Sequence, residues 1–205
     1  MSQLSKFVFR VAQPKDKDRV LQFLFDHFIK EEPCSRALKM TPKTVTGLYT
    51  TSVDRCLEFP FSTIVTEPNG KLAACILSSV WNLQFLNKAH SNFWKVAPPH
   101  VDAVLHREIG SVAKPFIRSG IATRLITENM TMSNLKKYNI GGVISETSSL
   151  ANQRLLKKAG FKCLKEMPYS EIVDSKGREV MKPDDGTTAL RLNYKAIGDY
   201  KNLPE

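Results

Sequence analysis

Val112-Ala113-Lys114-Pro115-Phe116-Ile117-Arg118-Ser119-Gly120-Ile121-Ala122 is the most informative stretch of this 205-residue chain. The residues leading into it, about Leu105 to Ala113, read as a strand. Those leaving it, Gly120 to Lys137, place Ile121, Leu125, Met132 and Leu135 at helical spacing. A strand thus passes through a tight loop directly into a helix. The first turn of a helix has backbone N–H groups without intrahelical partners, and its dipole favours negative charge. Gly120 and Ala122 are small enough to let a pyrophosphate approach that backbone.

Outward from this junction, Phe7 to Val11 alternates weakly as a first strand. Pro14 to Ile29 carries Leu21, Leu24, Phe25 and Phe28, the stripe of a helix packed on a core. Glu31-Glu32-Pro33-Cys34 breaks it. Thr41-Pro42 supplies an N-cap and a first-turn proline for a second helix, with Val45, Leu48, Tyr49, Val53 and Cys56 along one side. Phe61 to Thr66 and Lys71 to Ser79 read as strands joined by the hairpin turn Glu67-Pro68-Asn69-Gly70.

Residues 81–104 form a long aromatic connection (Trp81, Phe85, Phe93, Trp94, Pro98, Pro99), of a length that is usually functional or contains a short helix. After the helix to Lys137, Gly141-Gly142 opens a strand, Val143 to Glu146. Ser148 or Ser149 then caps a helix with Ala151, Leu155 and Ala159 on one side, stopped by Gly160. Strands near Phe161 to Val173 and Thr187 to Tyr194 complete the chain, separated by the polar stretch 174–186. The order β-α-α-β-β-β-α-β-α-β-β describes one α/β domain over residues 1–205, with a mixed sheet.

The composition, 42% hydrophobic and 24% charged, is that of an ordinary globular protein. Leu72 to Leu77 is the longest clean apolar run, far below the ~20 residues of a membrane helix. The N-terminal stretch around Lys6, Phe7, Val8, Phe9 and Arg10 lacks the apolar core of a signal peptide. A cytoplasmic address without membrane contact is expected. The net charge of +10 fits a solvated basic surface, an anionic cofactor or nucleic acid. Nucleic acid is the weakest of the three, because no block of basic residues forms an arm. Cys34, Cys56, Cys75 and Cys163 form no CxxC pair, and His27, His90, His100 and His106 supply no paired metal spacing. Reduced thiols and no metal are expected.

The segment ending at Ala122 resembles motif A of the GNAT (Gcn5-related) acetyltransferase superfamily, Arg/Gln-x-x-Gly-x-Gly/Ala. Asn152-Gln153-Arg154-Leu155-Leu156-Lys157-Lys158-Ala159-Gly160-Phe161 is similar to that superfamily's late helix, which ends in Lys-x-Gly-Phe. The resemblance implies a mixed, mostly antiparallel sheet of about seven strands with about four helices, and acetyl-CoA as acyl donor. It places the pyrophosphate on Ile117, Arg118, Ser119, Gly120, Ile121, Ala122 and Thr123. The pantetheine arm would run along the strand at Val112 and Ala113, with Ser149 and Asn152 also holding the coenzyme. Arg124, Lys157 and Lys158 are further candidates for its phosphates. One departure is clear: the usual Arg or Gln falls on Ile117, and Arg118 comes one place late. Backbone donors survive that change.

Glu31-Glu32-Pro33 resembles the Asp/Glu-Glu-Pro element of the insect-type arylalkylamine and dopamine N-acetyltransferases, where the Glu before the proline is the general base. Glu32 stands there. Of two serines implicated in that branch, Ser148 matches the first and Asn152 replaces the second, which leaves a serine relay incomplete. The tyrosine that acts as general acid in many other members falls on Leu156, which cannot donate a proton. A second candidate pair, His106 and Glu108, lies two residues apart on a strand and so leaves one face. These two align with the paired histidines of vertebrate-type serotonin N-acetyltransferases.

A base is required because alkylamines, with pKa near ~10, are protonated and non-nucleophilic at neutral pH. The resemblance therefore implies direct attack of a small arylalkylamine of the dopamine, tryptamine, octopamine or serotonin type on the thioester. Asp54, Glu58 and Glu146 are candidates for attracting the amine cation. Two alternatives stand beside this reading. One keeps the fold but takes a polyamine, a lysine or a protein N-terminus as acceptor; the other is a catalytically weak acyl-CoA-binding or RNA-associating basic protein.

Overall fold

The computed structural model describes residues 3–82 and 101–205. Its strands are β1 (Val8–Val11), β2 (Thr63–Thr66), β3 (Leu72–Asn82), β4 (Ala103–Val112), β5 (Ile140–Thr147), β6 (Lys162–Pro168) and β7 (Ala189–Ala196). All seven join one sheet in the order β1-β2-β3-β4-β5-β7-β6. Neighbours are antiparallel except β4 and β5, which run parallel. Central β3 is buried almost throughout, as a strand covered on both faces must be, whereas edge strand β6 is largely exposed. The mixed, mostly antiparallel sheet is the one expected.

One face is covered by α1 (Lys17–Phe23), α2 (Ile29–Glu31), α3 (Pro33–Ala37) and α4 (Pro42–Leu57). There Val20, Leu24, Val53 and Cys56 pack on Cys75, Leu77 and Ile109. The opposite face carries α5 (Ile121–Leu125), α6 (Met132–Lys137) and α7 (Leu150–Lys158). Ile121 and Leu125 pack there on Val65, Ala74 and Ile76, and Leu135 and Leu156 on Leu105 and Val143. The alternation of Ala74, Cys75, Ile76 and Leu77 between these clusters is the period-two signature of β3.

Several sequence expectations are corrected. The first long helix is interrupted by a π turn, Leu24–Phe28, between α1 and α2. The helix expected from Gly120 to Lys137 is two pieces: Asn129 takes a left-handed conformation (φ 60°), and Thr131 caps α6 by accepting from the Asn134 amide. Leu48 of α4 is 61% exposed rather than packed. In α7 the buried side chains are Gln153 and Leu156, while Ala151 is exposed. Strand β6 ends at Pro168, not Val173, because Tyr169–Glu171 turns away. Phe85, Phe93, Trp94, Pro98 and Pro99 lie outside the described residues. Among the described residues no helix is long and apolar enough to cross a membrane.

Two irregularities position the site. First, β4 and β5 pair only from Ala103↔Ile140 to His106↔Ile144, so Arg107–Val112 and Ser145–Thr147 diverge. Second, β4 bulges against β3: Ser78 pairs with Arg107 and Leu77 with Ile109, leaving Glu108 as the extra residue. Glu108 and Ile109 consequently both face α4 and its neighbours. At the closed end of the divergence Gly142 is obligatory, since a Cβ there would lie 2.2 Å from the Tyr194 ring.

Candidate active site

At the open end of the divergence, β4 runs into a short 3-10 turn, Lys114–Phe116, and then into the loop before α5. Arg118 (φ 65°) and Gly120 (φ 90°) are both left-handed, which curls the backbone into a concavity of amides. Among the described residues, the amides of Arg118, Gly120, Ile121, Ala122 and Thr123 find no backbone acceptor. Gly120 has only the Leu4 side chain nearby, 3.7 Å from where a Cβ would stand, so its conformation rather than crowding calls for glycine.

A cavity of about 410 Å³ extends from this loop along the unpaired part of β4. Of the residues expected to hold a coenzyme, Val112, Ile117, Arg118, Gly120, Ile121, Ala122, Thr123, Ser149 and Asn152 line it. Ala113 and Ser119 do not. The Ala113 amide donates to the Ala73 carbonyl at 2.8 Å, and Ser119 Oγ donates to the Phe116 carbonyl at 2.6 Å. Arg124 is also turned away, paired with Glu128 at 2.8 Å and stacked 3.7 Å over the Phe9 ring.

Glu32, Glu108 and Ser148 line the same cavity, joined by Glu31, Glu146 and Phe28. The Glu32 carboxylate caps α3, accepting from the amides of Cys34 (3.0 Å) and Ser35 (2.5 Å) and from Ser35 Oγ (2.7 Å). Ser148 Oγ also donates to it, at 2.8 Å, across 116 positions of chain. Tyr169 Oη donates to the Ser148 carbonyl at 3.2 Å, and Cys34 Sγ to Tyr169 Oη at 3.2 Å. Burial raises the Tyr169 hydroxyl far above the usual phenol range and the Cys34 thiol to about 11, so both stay protonated at neutral pH. Tyr169 is a residue the sequence reading missed.

His106 and Glu108 do leave one face, but they are bonded apart. Glu108 accepts from Arg55 Nε at 2.8 Å, Arg55 Nη2 at 2.5 Å and Ser79 Oγ at 2.5 Å. Burial pulls its carboxyl upward, yet the Arg55 hydrogen bonds, with His106 and Ser79, outweigh burial and hold it below the usual carboxylate range. His106 is 6% exposed, lies edge-on to Trp81, and sits 2.5 Å from Glu146 Oε2 through its Nε2. His106 does not line the cavity, whereas its partner Glu146 does. Asp54 is instead paired with Lys17 at 2.7 Å, and Leu156, in the tyrosine's place, is buried core.

Arg107, between those two residues, points to the other face and is 4% exposed. Its Nη2 donates to the Ile126 carbonyl at 2.5 Å and to Met130 sulfur at 3.1 Å, while Nε and Nη1 have no partner among the described residues. Burial brings this guanidinium down to about 10, opposed by the Tyr200 hydroxyl.

No family model matches the sequence, and no curated protein matches it. Solved structures do match over nearly all of the chain. An arylalkylamine N-acetyltransferase 2 from Aedes aegypti superposes with TM-score 0.75 at 19% identity, covering 93% of this chain and 99% of that one. The Drosophila melanogaster polyamine N-acetyltransferase, described as forming N-acetylagmatine, gives 0.74 at 14% identity, covering 93% and 100%. Arabidopsis thaliana NAA60, solved with a bisubstrate analogue, gives 0.56 at 14% identity, covering 93% and 99%. The chain has the GNAT fold. Within the GNAT fold, the diverging β4–β5 pair and the loop before α5 form one continuous cleft, and the carboxylates gather at its inner end. Among the described residues no group of three or more His, Cys, Asp or Glu side chains can hold a metal, and the four cysteines are free thiols.

Proposed function

We propose that this protein transfers an acyl group from a coenzyme A thioester to the primary amine of a small arylalkylamine. The observation that carries the reading is the interrupted β4–β5 pairing, which opens a cleft running from unpartnered loop amides at one end to carboxylates at the other. A diphosphate fits the amides around Gly120, and small residues (Gly110, Gly120, Ala122) leave room for the chain that follows. Acetyl-CoA would supply the thioester carbonyl as electrophile.

The base is Glu146, supported by His106. Glu146 lines the cleft with a histidine 2.5 Å behind it, whereas Glu108 is held by Arg55 and Glu32 caps α3. Glu146 takes a proton from the ammonium, and His106, at 2.5 Å, shares the charge. The freed nitrogen forms the C–N bond as the C–S bond breaks; the second proton shed by that nitrogen ends on the CoA sulfur. Glu32 and Ser148 hold the incoming cation in place, and Phe28 offers an aromatic wall for an aryl group. Four carboxylates around the cavity (Glu31, Glu32, Glu108, Glu146) favour polyamines as the second acceptor class.

Calorimetry with coenzyme A, followed by thiol release with dopamine, tryptamine, spermidine, agmatine and a peptide amine, tests this. Binding with turnover greatest on the aryl amines is the expected result; no binding of coenzyme A overturns it. Replacing Gly120 by Val, β-branched at a positive φ, is expected to weaken coenzyme A about tenfold or more while leaving the melting temperature within a few degrees.

A further inference from the structure

Tyr169 is 4% exposed and lines neither the cleft nor the smaller cavity beside it, yet its hydroxyl reaches the chain on both sides of the Glu32–Ser148 contact. It opens the 3-10 turn that follows β6, and its amide donates to the Thr188 carbonyl at 2.9 Å. The largely exposed stretch 170–188 then leads to β7 at Ala189. That stretch is tied to the same two sides at two further points. Arg36 Nε of α3 donates to Asp184 at 2.9 Å, and the Leu150 amide, the first of α7, donates to Asp185 at 2.8 Å.

The hydrogen bonds close a ring. Glu32 accepts from the Cys34 amide, Cys34 Sγ donates to Tyr169 Oη, Tyr169 Oη donates to the Ser148 carbonyl, and Ser148 Oγ donates back to Glu32. A phenol has one proton to give. Here it goes to Ser148 while the oxygen accepts from Cys34, so the hydroxyl is held from both sides. Ser148 lies between the end of β5 at Thr147 and the cap of α7 at Ser149, inside neither element. Among the described residues its carbonyl accepts from nothing else. Without Tyr169 that peptide is free to turn, and Ser148 Oγ leaves a carboxylate 116 positions away in sequence.

Ser148 lines the cleft, and its hydroxyl, having given its proton to Glu32, has only acceptor lone pairs left for an ammonium group. We propose that Tyr169 is a positioning residue for the amine: its hydroxyl fixes the Ser148 backbone and thereby sets the Glu32–Ser148 pair for the incoming cation. This rests on the acyltransferase reading above, in which that pair holds the cation. Tyr169 touches neither substrate nor coenzyme and moves no proton in the transfer. Its removal therefore falls on amine binding and leaves the base, Glu146, and the loop around Gly120 as they are.

Steady-state kinetics test this with acetyl-CoA and whichever of dopamine, tryptamine, spermidine and agmatine turns over fastest. Tyr169→Phe deletes one oxygen and keeps the ring, with folding checked by thermal melting. KM for the amine is expected to rise about three- to tenfold, the scale of one hydrogen bond, with kcat and coenzyme A affinity within about twofold of wild type. In a Ser148→Ala background the same replacement is expected to add nothing, because the link it acts through is already gone. An unchanged KM, a loss carried by kcat instead, or a full effect that persists beside Ser148→Ala overturns the proposal. A second readout needs no substrate. In deuterium exchange of full-length Tyr169→Phe, residues 145–152 are expected to label at least about threefold faster than in wild type, while β7 keeps its rate. Unchanged exchange at 145–152 overturns the assignment on its own. A wild-type chain that turns over no amine sinks the acyltransferase reading and the amine role with it, while exchange still decides whether Tyr169 fixes Ser148.

Discussion

Three consecutive residues of β4 put two different kinds of polar chemistry on the two faces of one sheet. On the face toward α4, His106 is bonded to Glu146 and Glu108 to Arg55 and Ser79, with Trp81 Nε1 donating to the same Ser79 at 2.7 Å. On the opposite face, Arg107 meets one carbonyl, one sulfur and apolar side chains. The first set answers its polar groups within the fold, each side chain bonded to another. The second has no counter-charge among the described residues. Burial alone therefore says little about a charged side chain; what surrounds it decides whether it supports the fold or costs it stability.

Substitutions on the two faces should behave in opposite ways. The largest effect is expected for Glu146→Gln, which removes the base. Turnover should fall by about 10²–10³-fold with little change in coenzyme A affinity, and a rate within threefold of wild type would return the role to Glu32. Next comes Arg55→Met, which strands Glu108, its side chain 7% exposed, without its cation; chemical denaturation should show a loss of about 2–3 kcal/mol.

That loss has a defined pH range. The Glu108 carboxyl is held below its ordinary value in the folded protein. Its contribution to stability is thus complete above the unfolded value near ~4.3 and is lost as pH falls through the folded one. The gap between wild type and Arg55→Met should accordingly narrow in acid, and a gap constant from pH 7 to pH 3 would mean that the pair contributes nothing.

Arg107→Met should do the reverse. Removing an uncompensated buried charge is expected to stabilise the ligand-free protein by about 1–2 kcal/mol, seen as a melting temperature higher by a few degrees. A lower melting temperature would show that the fold itself depends on this guanidinium. The smallest effect is expected for Glu32→Gln, which keeps the cap on α3 but weakens its hold on Ser148. Turnover should drop only about tenfold, the scale of one or two hydrogen bonds.

Much of the fold was legible because its signals are local. Thr41-Pro42 begins α4, Gly160 ends α7 with a positive φ, and the loop to Gly120 sits where a strand meets a helix. Pairing Glu32 with Ser148 was accessible only through family resemblance, since nothing local joins positions so far apart. Arg55 and Tyr169 were illegible for the same reason: their partners, Glu108 and the Ser148 carbonyl, become neighbours only in the assembled sheet. The bulge at Glu108 was equally hidden, because strict alternation would send Ile109 to the face it does not occupy. Arg107 did leave a trace, a cation at a position where the period of two from Leu105 calls for an apolar side chain.

The early end of β4–β5 pairing has one more consequence. A seven-stranded sheet ordinarily keeps its exchange-labile edges at β1 and β6, yet here a length of backbone in the middle strands lacks its lateral partner as well. In deuterium exchange, residues 107–112 should take up label from solvent faster than their central place suggests, and slow sharply once a thioester ligand fills the gap. The interior of this sheet would then report occupancy as an inserted strand would, by the protection it confers.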